Sequence, residues 1–183
     1  AETRKELLGT GCREADSGYI LFPEDLILRS LEHIPERFTL YDRNGNIAID
    51  TSDPVPHFAP GLNAVTILDH RTGTQRECLL SDVRDAARVC DRLEHIDMAS
   101  GLGNPSDIAP EAQAIETVKV ILDETEKPFP FIAHNELEDE HVWNYLADMA
   151  GGWDALAEKP FVLDLTGPYS PLELGEEACR RLR

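Results

Sequence analysis

Beyond residue 80 the chain repeats one unit, an apolar run, a polar break and an amphipathic stretch, and this repeat constrains the fold more than any other feature. The runs His95–Ser100, Pro128–His134 and Phe161–Thr166 begin about 33 residues apart, the length of a strand plus a crossover helix. They are predicted to be parallel strands joined by right-handed crossovers. Helices are predicted around them. Ser81 caps the first, with Asp82 and Asp85 in its opening turn and Val83, Ala86, Ala87, Cys90 and Leu93 on one face. A second spans Pro110–Glu124 with Ile115, Val118, Ile121 and Leu122 inward. A third spans about 138–150 with Val142, Tyr145, Leu146 and Met149 on one side, and a last helix starts near Pro171.

Three parallel strands with outer helices leave a free sheet edge on each side, which proteins avoid. The economical α/β architecture is the first three βα units of a TIM-type (β/α)8 barrel, over residues 81–183. A small open α/β sheet is the alternative. Residues 1–80 read as a cap of short helices and β-hairpins. Glu2 to Leu8 is a short helix closed by Gly9, and Pro23 opens another with Leu26, Ile27, Leu31 and Ile34 at helical spacing, stopped by Pro35. Phe38–Tyr41 and Ile47–Ile49 flank a turn containing Asn44-Gly45, a hairpin signal. Ala64–Leu68 and Thr74–Leu79 flank a second turn ending in Gly73. The Pro-rich stretch 53–61 between the hairpins is predicted to be irregular. Ala1 is not an initiator Met, no signal segment follows it, and Arg183 falls inside an amphipathic stretch, so a piece of a longer protein is expected.

Charge and apolar content narrow the function classes. With 35 Asp and Glu against 17 Lys and Arg the formal charge is −18, yet 42% of residues are hydrophobic, too many for a disordered acidic tail. No run approaches the roughly 18 apolar residues needed to span a bilayer. The negative field makes nucleic acid and anionic membranes poor partners and favours a cationic small molecule or a basic protein face. Cys12, Cys78, Cys90 and Cys179 lie far apart with no CxxC pair, which points to cytosolic thiols, mostly buried, and to a cytoplasmic protein without a metal site of its own.

In a parallel βα architecture the strand C-termini carry function, because helix N-termini and variable loops converge there. The three such ends are Met98–Asp107, His134-Asn135-Glu136 and Thr166–Pro171. If Phe161, Leu163 and Leu165 face the helices, the period of two turns Val162, Asp164 and Thr166 inward. The Gly101-Leu-Gly103 stretch is better read as a plain βα loop than as a phosphate loop, since it lacks a third Gly and no helix follows directly. His57 and Asn63, from the Pro-rich connection or just after it, are predicted to fold over the barrel mouth. Trp143 and Trp153 are read as packing residues.

Several segments then converge on one family. Gly61-Leu-Asn-Ala-Val-Thr-Ile-Leu-Asp69 with Arg71-Thr-Gly73, Arg76 and Ser81-Asp82 resembles the trimethylamine methyltransferase family of corrinoid-dependent enzymes. Phe22–Leu26 through Pro35–Phe38, Lys127-Pro-Phe129, Ala150-Gly-Gly152, Lys159-Pro-Phe161 and Ser170-Pro-Leu172 follow in the family's order. The resemblance implies a TIM-type barrel longer than this chain and transfer of a methyl group from a methylated amine to the cobalt of a corrinoid (cobalamin) on a separate protein. No cofactor is then expected on this chain alone. It also implies a homo-oligomer. Family members with pyrrolysine activate trimethylamine, and others take quaternary amines such as glycine betaine. The deciding position would fall past Arg183. A barrel with a changed substrate and a non-catalytic binding or assembly piece are the competing readings.

Methyl transfer from a quaternary nitrogen removes its positive charge. A carboxylate about 5 Å away attracts that charge by roughly 3 kcal/mol at an effective dielectric near 20. That attraction fades toward the transition state, so neutral polar or aromatic groups are expected around the nitrogen. On this reading Asn63 and Thr166 are the leading substrate contacts, with Asp164, Ser100, His134 and Asn135 behind them, and no catalytic residue is assigned.

Overall fold

The computed structural model describes residues 2–181. The expected end of the last helix at Arg183 lies outside them. Helices and small sheets mix along the chain, an α/β arrangement. Helix α1 (Glu2–Gly9) is followed by a two-residue antiparallel ladder, β1 (Arg13–Glu14) with β2 (Ile20–Leu21), and then by α2 (Glu24–Leu31), which Pro23 introduces in extended conformation. Neither helix buries a residue, and the apolar positions Leu28 and Leu31 of α2 are each 54% exposed.

Both predicted hairpins form. Strands β3 (Thr39–Tyr41) and β4 (Ile47–Asp50) pair across a turn where Gly45 takes φ 81° and the Asp42 carboxylate accepts from the Asn46 amide at 2.8 Å. Strands β5 (Thr66–Leu68) and β6 (Gln75–Glu77) pair across a turn in which Asp69 accepts from the Arg71 and Thr72 amides.

Helix α3 (Leu80–Arg92) buries Val83, Ala86, Ala87 and Cys90 as its periodicity requires. Two details differ from expectation. Leu79, not Ser81, is the cap position, and its amide is taken by the Asp82 carboxylate at 2.8 Å; Leu93 lies past the last turn and is 48% exposed. After a 3-10 turn at Pro110–Ala112, α4 (Gln113–Glu124) buries Val118, Ile121 and Leu122. Strand β7 (Phe129–Phe131) is buried at every residue, as a strand covered on both faces must be. Helix α5 (Glu136–Ala150) buries Val142 and Leu146, while Met149 is 50% exposed. The short helix α6 (Trp153–Glu158), absent from the sequence reading, precedes β8 (Val162–Asp164), and α7 (Glu176–Arg181) ends the described chain.

Strands β7 and β8 pair in parallel, Phe129 opposite Val162 and Phe131 opposite Asp164, with α5 and α6 between them in sequence. One core cluster joins Phe129, Phe131 and Val162 to the inner faces of α3, α4 and α5. Trp143 completes it by meeting the Phe131 ring edge-on at 5.5 Å.

Two predictions about the strands need correction. The segment 95–100 is irregular, because the Asp97 and Met98 amides both donate to Phe58 O and only Ala99 reaches across, to Pro128 O at 2.9 Å. Its backbone donors are spent on the Pro-rich connection rather than on a ladder. The facing of β8 also differs from expectation, although Phe161 just before it packs in the helix-facing core as expected. Val162 belongs to the helix-packed core, whereas Leu163 packs with Leu40, Ile49 and Met98 of a second cluster built on the β3–β4 hairpin. That hairpin docks beside the starts of both strands, with the Tyr41 amide on Pro160 O and the Arg43 amide on Glu126 O. Lys127 fastens the same end, its Nζ donating to the carbonyls of Cys90, Leu93 and Ile96 at 2.6–2.8 Å.

Candidate active site at the strand ends

The loop after segment 95–100 is sewn to the chain just past the Pro-rich connection. The Ala64 amide donates to Leu102 O at 3.0 Å and the Asn104 amide to Ala64 O at 3.2 Å. A Cβ on Gly103 would lie 2.5 Å from Ala64 O and 3.0 Å from Cys78 Sγ; one on Gly101 would lie 2.9 Å from Val83. Both glycines serve close packing, which is the plain-loop reading of the Gly-rich stretch. The stitching brings exposed Asn63 to this loop, and Leu62, Gly101, Asn104, Gln113, Thr117 and His134 line a shallow cleft.

Ser100 is fully buried. Its hydroxyl donates to Gly61 O and accepts from the Leu102 amide, so the side chain holds the end of the Pro-rich connection to the loop and turns no free group outward. Asn135 caps α5, its Oδ1 accepting from the Glu138 amide at 2.9 Å. Asp164 does not point into a barrel interior: on the helix side of β8, it pairs with Arg181 of α7, which also bonds Asp139 in the first turn of α5. Burial, reinforced by the Asp164 charge, pushes the Asp139 carboxyl above its usual value. Thr166 lies exposed two residues past β8, where the Leu165 amide prolongs the pairing to Phe131 O at 3.0 Å. His57 sits further upstream than expected. Its Nδ1 is 3.6 Å from Asp97 Oδ1, at the start of segment 95–100 rather than at its end.

Asn63, Thr166 and His134 therefore keep side chains with no hydrogen bond among the described residues, while Ser100, Asn135 and Asp164 are committed to local structure. Two buried charged residues escaped the sequence reading. Glu138, 2% exposed, accepts from the Ala114 amide at 2.9 Å and the His134 amide at 2.7 Å. Arg181, with a side chain 4% exposed, donates to Ala133 O at 2.8 Å. Their partners, backbone groups for Glu138 and two carboxylates and a carbonyl for Arg181, lie up to 48 residues away and leave no motif; the one local signal was a Glu three residues after a helix-capping Asn. Cys78 and Cys90 behave as small core residues: burial raises the Cys78 thiol to about 11 and raises Cys90 as well. Among the described residues no three His, Cys, Asp or Glu side chains converge on a metal position, and no helix is long and apolar enough to cross a membrane.

The family described as trimethylamine methyltransferase matches residues 2–183. Trimethylamine methyltransferase MttB of Methanosarcina thermophila is 27% identical over 98% of this chain and 38% of its own length. The enzyme of that name from Desulfitobacterium hafniense (strain DSM 10664 / DCB-2) is 26% identical over 87% of this chain and 32% of its own. The glycine betaine methyltransferase of D. hafniense strain Y51 is 24% identical over 86% of this chain and 33% of its own. The chain thus spans about a third of the length of these relatives. With a match across all the described elements, the chain belongs to the trimethylamine methyltransferase family.

Proposed function

We propose that this chain is the N-terminal portion of a barrel enzyme that moves a methyl group from trimethylamine, or from a quaternary amine such as glycine betaine, to a corrinoid held by a separate protein. The observation that carries the reading is the family match over residues 2–183, with relatives named for both amines. The parallel β7–β8 pair supports the barrel. It has helices on one face and the hairpin cluster on the other, and among the described residues β8 pairs with no strand but β7. Further parallel strands, closing a TIM-type barrel, would cover that edge.

On this reading the corrinoid is carried by the partner protein. It supplies the methyl acceptor. This chain's part is to bind and orient the amine at the strand ends. Positioning the nitrogen and methyl in line with the acceptor supplies most of the catalysis, because displacement from a quaternary amine, or from trimethylamine bound as its protonated ammonium, releases a neutral amine and needs no proton transfer from the protein. The nitrogen loses its charge in the step, so neutral groups suit it. Asn63 and Thr166 are the proposed contacts, and the carboxylate nearest Thr166 in sequence, Asp164, is neutralised and turned away by Arg181.

The test is methylation of the corrinoid protein by the whole enzyme, followed by absorbance, with trimethylamine and glycine betaine in parallel. Turnover of one amine is expected, with a clear loss in Asn63→Ala and Thr166→Ala. Turnover of neither amine contradicts the proposal.

A further inference from the structure

One peptide unit at the strand ends is gripped from both sides by charged groups. The carbonyl of Ala133 accepts from Arg181 Nη1 at 2.8 Å, and the amide of the same peptide, that of His134, donates to Glu138 Oε2 at 2.7 Å. Charge-assisted bonds at opposite ends of a rigid planar group fix its orientation, and with it the direction in which the His134 side chain leaves the backbone. Each grip is anchored in turn. Glu138 also holds the Ala114 amide at the start of α4, and its own amide is held by Asn135; Arg181 is tied to Asp139 and Asp164. Three helices and the end of β8 therefore converge on one peptide, although both clamping side chains are almost wholly withdrawn from water. Burying two charges to hold one loop peptide is a poor way to stabilise a fold, since apolar residues of similar size do so at lower desolvation cost. It is an effective way to preorganise a side chain.

We infer that Glu138 and Arg181 are positioning residues that clamp the Ala133–His134 peptide and thereby aim His134 into the cleft between Leu62, Asn104 and Gln113. From the edge of that cleft it orients the methylated amine. The last step rests on the proposed methyltransferase function; the clamp does not.

A double-mutant cycle on the whole enzyme separates positioning from stability. Glu138→Met is expected to lower kcat about tenfold in the parent and less than twofold in a His134→Ala background, with KM little changed. Arg181→Met, from the other side of the peptide, is expected to behave alike and replaces Glu138→Met if that variant does not fold. Equal losses in both backgrounds, or parental kcat in His134→Ala, overturn the inference. The clamp itself is read by hydrogen exchange at the His134 amide, which is expected to be protected in the parent and at least tenfold faster in Glu138→Met. An unprotected parental amide refutes the clamp whatever the activity. A protected amide in an enzyme that turns over neither amine refutes the functional reading, and with it the role given to His134, while leaving the clamp in place.

Discussion

Arg76 grips Asp82 through two parallel bonds, Nη1 to Oδ2 at 2.7 Å and Nη2 to Oδ1 at 2.8 Å, and its Nε lies 2.8 Å from Asp69 Oδ2. One guanidinium thus locks the turn of the β5–β6 hairpin to the first turn of α3. All three residues belong to the motif by which the sequence resembles its family, so that part of the motif joins the β5–β6 hairpin to the first turn of α3.

The lock makes stability depend on pH. Hydrogen bonds from Arg76 hold the Asp69 and Asp82 carboxyls below their usual value of 3.8. Depressed carboxyl values stabilise the fold above about pH 4, and the contribution is lost as the pH falls through the lowered values. Arg76→Met is expected to melt below the parent near neutral pH, with the gap closing as both are titrated below about pH 4. Thermal scans across that range check it, and a pH-independent gap contradicts it.

Gly103→Ala places a methyl 2.5 Å from Ala64 O and 3.0 Å from Cys78 Sγ, where the backbone partner cannot swing aside. A loss of about 1–3 kcal/mol in urea unfolding is expected. Gly61→Ala, with open space around its Cβ position, is the control expected to change stability little.

Phe129 is fully buried beside Phe161 and under the three helices. Phe129→Ala is expected to cost about 3–5 kcal/mol, against a small cost for Met149→Ala on the exposed side of α5. Equal effects at the two positions contradict the core as described.

Cys78 and Cys90 are buried with raised thiol values, whereas Cys179 on α7 is partly exposed. Alkylation of the folded protein near pH 8, mapped by peptide mass spectrometry, is expected to label Cys179 first and Cys78 only after unfolding.

Local chemistry made much of this fold legible. Gly45 and Gly73 announced the two hairpins, and the apolar stripe of α3 matched its buried face. What failed depended on distant partners. An alternating run such as 161–166 shows that two faces exist without showing which meets the helices, and the β3–β4 hairpin decided that by claiming Leu163. Segment 95–100 has strand-like residues, but Phe58, about 40 positions earlier, captures two of its amides. At the candidate site, chain position was legible and commitment was not. Ser100 ends a segment that is not a strand and holds Gly61 O 39 positions earlier, and Asn135, past the end of β7, is spent on capping α5.

The most direct measurement follows the methyl group itself. Deuterium-labelled trimethylamine and glycine betaine are each incubated with the whole enzyme and its corrinoid protein, and both products are weighed by mass spectrometry. The proposed function requires one labelled amine to lose a single methyl group in step with the appearance of one labelled methyl on the corrinoid protein. Recovery of both amines with every methyl group intact contradicts it.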